Sequence, residues 1–369
     1  MTKRLAALTL AGMLCLCLLT GCKKDAVNFI YYTSDAITTL DPQLASTPAE
    51  LTAVKNMFAG LYRLDEAGRA APDRAQETEV SADGLVYTFT LDPDDVFTDG
   101  DKITVPVTAR DYVFALQRLL DPATGAPSAR SFLSIRGAAE VLSGAARPAS
   151  LGVRAVSDTV LEITLSTPDD GLPAKLASAG AMPCNEAFFD STAGAYGLSV
   201  GTVLGNGAFQ PTAWSAASGL TLRRLRGDEN DLVNRIRLVP DDGGSTAAER
   251  LADGQQDGAL ASADQESQLS GYPSQTFETT VWTLVFNCAD DSLANLSIRQ
   301  ALASVARLSA EDLSGLAHLR AADGLVPGSA QLTGGSPYRD AVGDALPSLA
   351  EAQSYSLYRL GLSELGVER

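Results

Sequence analysis

Between Gly84 and Pro122 the hydrophobic period switches from two to the helical value within one short segment. Leu85, Tyr87, Phe89 and Leu91 alternate with Val86, Thr88 and Thr90, the pattern of a strand with one buried face. Asp99-Gly100 marks a turn. In VTARDYVFALQRLLDP, Thr108 caps a helix with Asp111 three residues on, and Asp121-Pro122 closes it. Tyr112, Val113, Leu116, Leu119 and Leu120 share one face of that helix. A one-faced strand beside a one-faced helix must bury both surfaces in a shared core. The chain is thereby confined to mixed α/β or α+β architectures.

The remaining elements fit that class. VNFIYY (Val27 to Tyr32) reads as a first strand. In the segment after it, Leu51, Val54, Met57, Phe58 and Leu61 fall at helical spacing, with Gly60 at the expected stop. A turn at Ser157-Asp158 leads into a strand from Val160 to Leu165, and two more strands are expected between Ala208 and Arg226. IRLVP, ending at Pro240, and VWTLVFN at 281–287 read as further strands. STAAERLADG, SIRQALASVA and SLAEAQSYSLYRLGLSELG read as helices. The 369 residues suit two or three domains, and 45% apolar content supplies a core.

The apolar run that approaches membrane length is Leu5 to Leu19, short for a bilayer span and preceded by Lys3 and Arg4. It ends in Leu19-Thr20-Gly21-Cys22, which resembles a bacterial lipobox. The resemblance implies a signal peptide over 1–21, acylation of Cys22, and a tether over 22–26. The protein would then be anchored on the outer side of the cell membrane through its lipid. Cys15 and Cys17 leave with the signal; Cys184 and Cys288 remain, and their pairing stays open. A net charge of −17 without a basic run opposes nucleic-acid binding and favours a soluble monomer.

Residues 197–201, GLSVG, match G-x-S-x-G, but their flanks do not read as a strand and a helix, and the chain has one histidine, His318. Catalysis from Ser199 is therefore not expected, and His318 reads as a surface or helix-end residue. Asp92, Asp94, Asp95, Asp99 and Asp101 lack EF-hand spacing and read as solvated turn carboxylates. Gly205-Asn206-Gly207 is not a phosphate cradle. Trp214 and Trp282 read as core aromatics before ligand platforms. No metal and no cofactor is expected, and the weight shifts from catalysis to binding.

Several segments then line up in order. GLVYTFTLDPDDVFTDGDKITVPVTARDYVFALQRLLDPATGAPSA, GNGAFQPTAW, RIRLVPDDGGSTAAERLADGQQDGA and WTLVFNCADDSLANLSIRQALASVA together resemble oligopeptide-binding proteins. These are extracytoplasmic solute-binding proteins of the peptide/nickel class, serving ABC importers. The resemblance implies an α/β, type II periplasmic-binding-protein-like fold of two lobes with an extra small subdomain. It places a first lobe at 27–60 and 195–278, the inserted subdomain at 61–194, and part of the second lobe at 279–369. Ligand would lie between lobes that close by hinge motion.

The family is longer, so the second lobe is expected to be incomplete and peptide binding weak or lost. CADDSLANLSIR also lacks the family's Pro-Phe. By resemblance, Ser46 and Thr47 sit where family members contact ligand, and Trp282, Thr283 and Asn287 lie on the expected peptide-pairing strand. For Asn287 a structural turn cap is an equal alternative. Asp257 matches a family turn residue and reads as structural, while Leu260 to Ser262 are small and apolar where some peptide binders carry an aromatic/amide pair. The expected partners are an oligopeptide or small solute and ABC permease subunits. A peptide-sensing or adhesion lipoprotein, or a non-binding fragment, are the other readings.

Overall fold

The computed structural model describes residues 27–227, 232–261, 263–275, 281–306 and 353–367, with scattered positions between 313 and 341. Residues 1–26, which include Cys22 and the expected tether, lie outside the described residues, as do Ser262 and His318. The chain divides into two units, 1–63 with 70–259, and 64–69 with 260–369.

The first unit begins with strand β1 (Val27–Thr33) and helix α1 (Pro48–Met57). Strands β2 (Ala75–Val80), β3 (Val86–Leu91), β4 (Val96–Thr98) and β5 (Thr104–Pro106) precede helix α2 (Ala109–Leu120). Then come β6 (Val153–Ala155), β7 (Val160–Thr164) and the short helix α3 (Glu186–Ser191). Strands β8 (Phe209–Ser215), β9 (Gly219–Arg224) and β10 (Val233–Pro240), then helix α4 (Ala247–Ala252), complete it.

Two sheets organise this unit. One runs in the order β1-β10-β9-β8, with β1 parallel to β10 and the other pairs antiparallel. The other is antiparallel, in the order β2-β3-β7-β6. The period-two reading holds in the second sheet. Tyr87, Phe89 and Leu91 of β3 are buried, and so are Leu161 and Ile163 of β7. Tyr112, Leu116, Leu119 and Leu120 of α2 close that core from above. The helix starts as its sequence dictates: the Asp111 carboxylate accepts from both the N–H and the hydroxyl of Thr108. The first sheet has its own core of Leu40, Val54, Met57, Phe209, Leu220 and Leu238, covered by α1.

Helix α1 stops at Met57, earlier than its apolar spacing suggests, because residues far along the chain take its last backbone groups. Gly207 N–H donates to Met57 O, and Asn206 Oδ1 accepts from Ala59 N–H. Phe58 turns extended while staying buried.

In the second unit, helix α5 (Leu296–Val305) and helix α6 (Ser354–Glu364) match the expected helices. Asn295 caps α5 through Ile298 N–H, and Glu364 accepts from Asn295 and Ser297. The expected strand at 281–287 is not formed. This segment carries no regular secondary structure, and no strand among the described residues pairs with it. An apolar, β-rich run becomes a strand only where a neighbour supplies the ladder hydrogen bonds.

Candidate functional site

A groove of about 480 Å³ opens on the first unit, where the carboxyl ends of the parallel strands β1 and β10 meet the hairpin end of β8 and β9. Backbone at the carboxyl ends of parallel strands is the common ligand-binding edge of α/β sheets. Thr33 and Pro240 end the two strands at the groove. The segment after β1 supplies Ile37 and Thr38, the turn at 198–200 supplies Leu198 and Val200, and the hairpin supplies Trp214.

Each wall is fixed by a network that joins distant parts of the chain. Glu50, in the first turn of α1, accepts from Thr38 N–H at 3.1 Å and Thr38 Oγ1 at 2.5 Å. Its other oxygen accepts from Ser46 and Thr47 N–H at 3.0 and 3.1 Å. Burial alone would raise the Glu50 carboxyl, but these donors outweigh it and bring it down to about 2. The loop after β1 is thus tied to the helix that follows it.

The next residues are held from below. Arg118 of α2 donates to both oxygens of Asp41, at 2.6 and 3.4 Å, and to Gln43 Oε1 at 2.6 Å. Its guanidinium lies 4.1 Å from the centroid of the Phe189 ring in α3 and 5.3 Å from that of Tyr196. Cys184 Sγ lies 3.5 Å from the same guanidinium, and burial pushes its thiol up to about 12. Cys184 is a buried free thiol and Cys288 an exposed one.

Asn206 clasps the two cores. Its amide donates to Ala59 O at 2.9 Å and to Asp95 Oδ2 at 2.7 Å. Gly205 and Gly207 flank it because a Cβ at either position would lie 2.1 or 2.5 Å from the Met57 carbonyl group. The Gly-Asn-Gly motif is a close-approach joint between backbones. Asp95 departs from its expected role as a solvated turn carboxylate: it is only 4% exposed. Burial pushes its carboxyl up, against the pull of Arg74, Asn206 and Arg226. Asp92 and Asp99 are turn carboxylates as expected, accepting from backbone N–H groups just after them. Asp257 is structural: its Oδ2 accepts from Ile30 N–H at 2.8 Å, and its own N–H donates to Ile30 O, along the outer edge of β1.

The expected ligand residues fall on both units. In the first, Thr47 is the N-cap of α1, with its hydroxyl accepting from Glu50 N–H, and Ser46 is exposed beside it. In the second, Trp282 is 85% exposed, which overturns its reading as core, and Thr283 is exposed too. Asn287 caps a turn, its Oδ1 accepting from Ala289 N–H. Leu260 is exposed. Sequence reasoning missed Ile37, Leu198 and Val200 as groove walls. The signal lay in GLSVG, where two branched residues flank a serine inside an exposed turn.

This arrangement, a mixed α/β body with a groove at parallel strand ends, has the type II periplasmic-binding-protein fold. Residues 69–306 match the bacterial extracellular solute-binding proteins, family 5 Middle, and the chain belongs to that family. Its members bind solutes outside the cytoplasm and are not enzymes, so GLSVG is no nucleophile elbow. A dipeptide-binding protein of Lactococcus lactis subsp. cremoris (strain MG1363) is 31% identical over 185 residues, 49% of this chain and 33% of that protein. The solved OppA of Burkholderia pseudomallei shares the fold with a TM-score of 0.73 at 22% identity, over 93% of this chain and 67% of that one. The OppA of Listeria monocytogenes, solved bound to peptide, gives a TM-score of 0.67 at 26% identity, over 94% of this chain and 70% of that one. The chain spans about a third of the length of the curated relatives it matches.

Proposed function

We propose that the chain is the capturing component of an importer: a monomeric, lipid-anchored protein that takes up oligopeptides, or a related small solute, outside the membrane and delivers them to ABC permease subunits. The observation that carries this reading is the groove at the carboxyl ends of β1 and β10 in a family 5 chain. The peptide held by the Listeria relative supports peptide as the solute. Ser46, Thr47, Trp282, Thr283 and Asn287 are the proposed contacts beyond the groove; the exposure of Ser46, Trp282 and Thr283 supports this. The proposed first lobe is 27–60 with 195–278, the inserted subdomain is 61–194, and 279–369 belongs to the second lobe. Two separate cores, one under the sheet built from 27–33 and 209–240 and one under the sheet built from 75–164, support the first boundaries. The lipobox-like run before Cys22 supports the anchor.

Native mass spectrometry of the membrane-extracted protein tests both parts. The expected spectrum shows a chain beginning at an acylated Cys22 and retaining peptides from a supplied tripeptide mixture. An unmodified chain beginning at Met1 would overturn the anchor, and a spectrum without peptide adducts would overturn the capture.

A further inference from the structure

We infer that the groove selects peptides by an uncharged apolar side chain, and that the GLSVG turn forms the lip that reads it, with Leu198 and Val200 as the specificity-determining residues. This rests on the peptide-capture reading above.

The chain carries a net charge of −17, yet among the described residues that line the groove none is charged. The hydroxyls that line it are already engaged by the protein. Thr33 Oγ1 donates to Asp35 O at 2.9 Å, and Thr38 Oγ1 to Glu50 Oε1 at 2.5 Å. Ser199 Oγ pairs with Thr202 Oγ1 at 3.0 Å, and Ser215 Oγ with Ser218 Oγ at 2.6 Å. The walls therefore present carbon: Ile37, Leu198, Val200, Trp214, Leu238 and Pro240. An ionised side chain placed there would lose water and find no counter-charge. An apolar one would cover Leu198 and Val200, which are 59% and 37% exposed.

The lip is built to hold its shape. Gly197 O accepts from Leu40 N–H at 2.8 Å, and Gly197 N–H donates to Thr202 O at 2.8 Å. Gly197 has φ +73°, and a Cβ there would lie 2.4 Å from Asp41 N, so the turn is pressed onto the segment that Arg118 anchors. A wall fixed before the ligand arrives loses little freedom on binding and discriminates sharply. The volume of about 480 Å³ lies inside the roughly 300–1,000 Å³ range of small-ligand sites.

Calorimetric titration with trileucine, trialanine, trilysine and triglutamate tests the inference. Trileucine is expected to bind at least about tenfold tighter than triglutamate or trilysine, the ratio expected from burying branched side chains. Leu198→Glu is expected to weaken trileucine by at least about tenfold at an unchanged melting temperature, because Leu198 is exposed. Leu198→Ala is expected to narrow the ratio of trileucine to triglutamate affinity, and it decides the matter if the Glu variant does not fold. Equal affinity for all four peptides, or no response of trileucine to the Leu198 variants, would overturn the selectivity and leave peptide capture standing. No binding of any peptide would overturn both.

Discussion

Glu50 gathers four donors from the loop after β1, and its proton equilibrium follows from that geometry. The folded carboxyl is depressed to about 2 from its ordinary 4.5, so the unfolded chain binds the proton more readily. Its contribution to stability is complete above 4.5 and is lost as pH falls through about 2. Urea midpoints measured across that window should fall more steeply for the native protein than for Glu50→Gln. Parallel curves would show that Glu50 carries no acid sensitivity. At this scale the sequence is readable where partners are close by. Thr108 and Asp111, three residues apart, meet as their spacing implies. Asp95 defeats the same reading because its partners Arg74, Asn206 and Arg226 are remote in the chain, while its neighbours Asp92 and Asp94 resemble a turn. No local pattern distinguishes a buried carboxylate from a solvated one when the compensating charge arrives from elsewhere.

At the scale of elements, strands and helices with a clear period form where the residues place them, and their ends are decided by contacts the residues do not announce. The early stop of α1 is one case, since Asn206 and Gly207 capture the groups that would continue it. Asn206→Ala removes an acceptor from Ala59 N–H and donors from Ala59 O and from the buried Asp95 carboxylate. With these groups left unpaired, unfolding in urea should show a loss of about 3 kcal/mol or more at unchanged slope. A loss under about 1 kcal/mol would mean that water replaces the amide at that joint. The segment 281–287 is the opposite case: high β-propensity without a ladder partner among the described residues yields no strand. Propensity describes what fits a pleated surface, and a sheet edge must still be there to receive it.

For the whole molecule, a sequence without a recognisable nucleophile, base or nucleotide loop points to binding, and the family bears that out. The ordered motifs make the family legible because each does something mechanical. Gly-Asn-Gly joins two cores, the Thr-x-x-Asp turn starts α2, and Asp257 secures the edge of β1. The groove itself is hidden from the sequence, because its walls come from 33–38, 198–200, 214–219 and 238–240, four segments with no shared pattern. The central proposal is that this chain grips peptides and returns them whole. Equilibrium dialysis against a defined tripeptide mixture, read by mass spectrometry on both sides of the membrane, measures that directly. Capture predicts peptide concentrated on the protein side and recovered intact after denaturation. Equal concentrations on both sides, or peptides recovered as fragments, would contradict it.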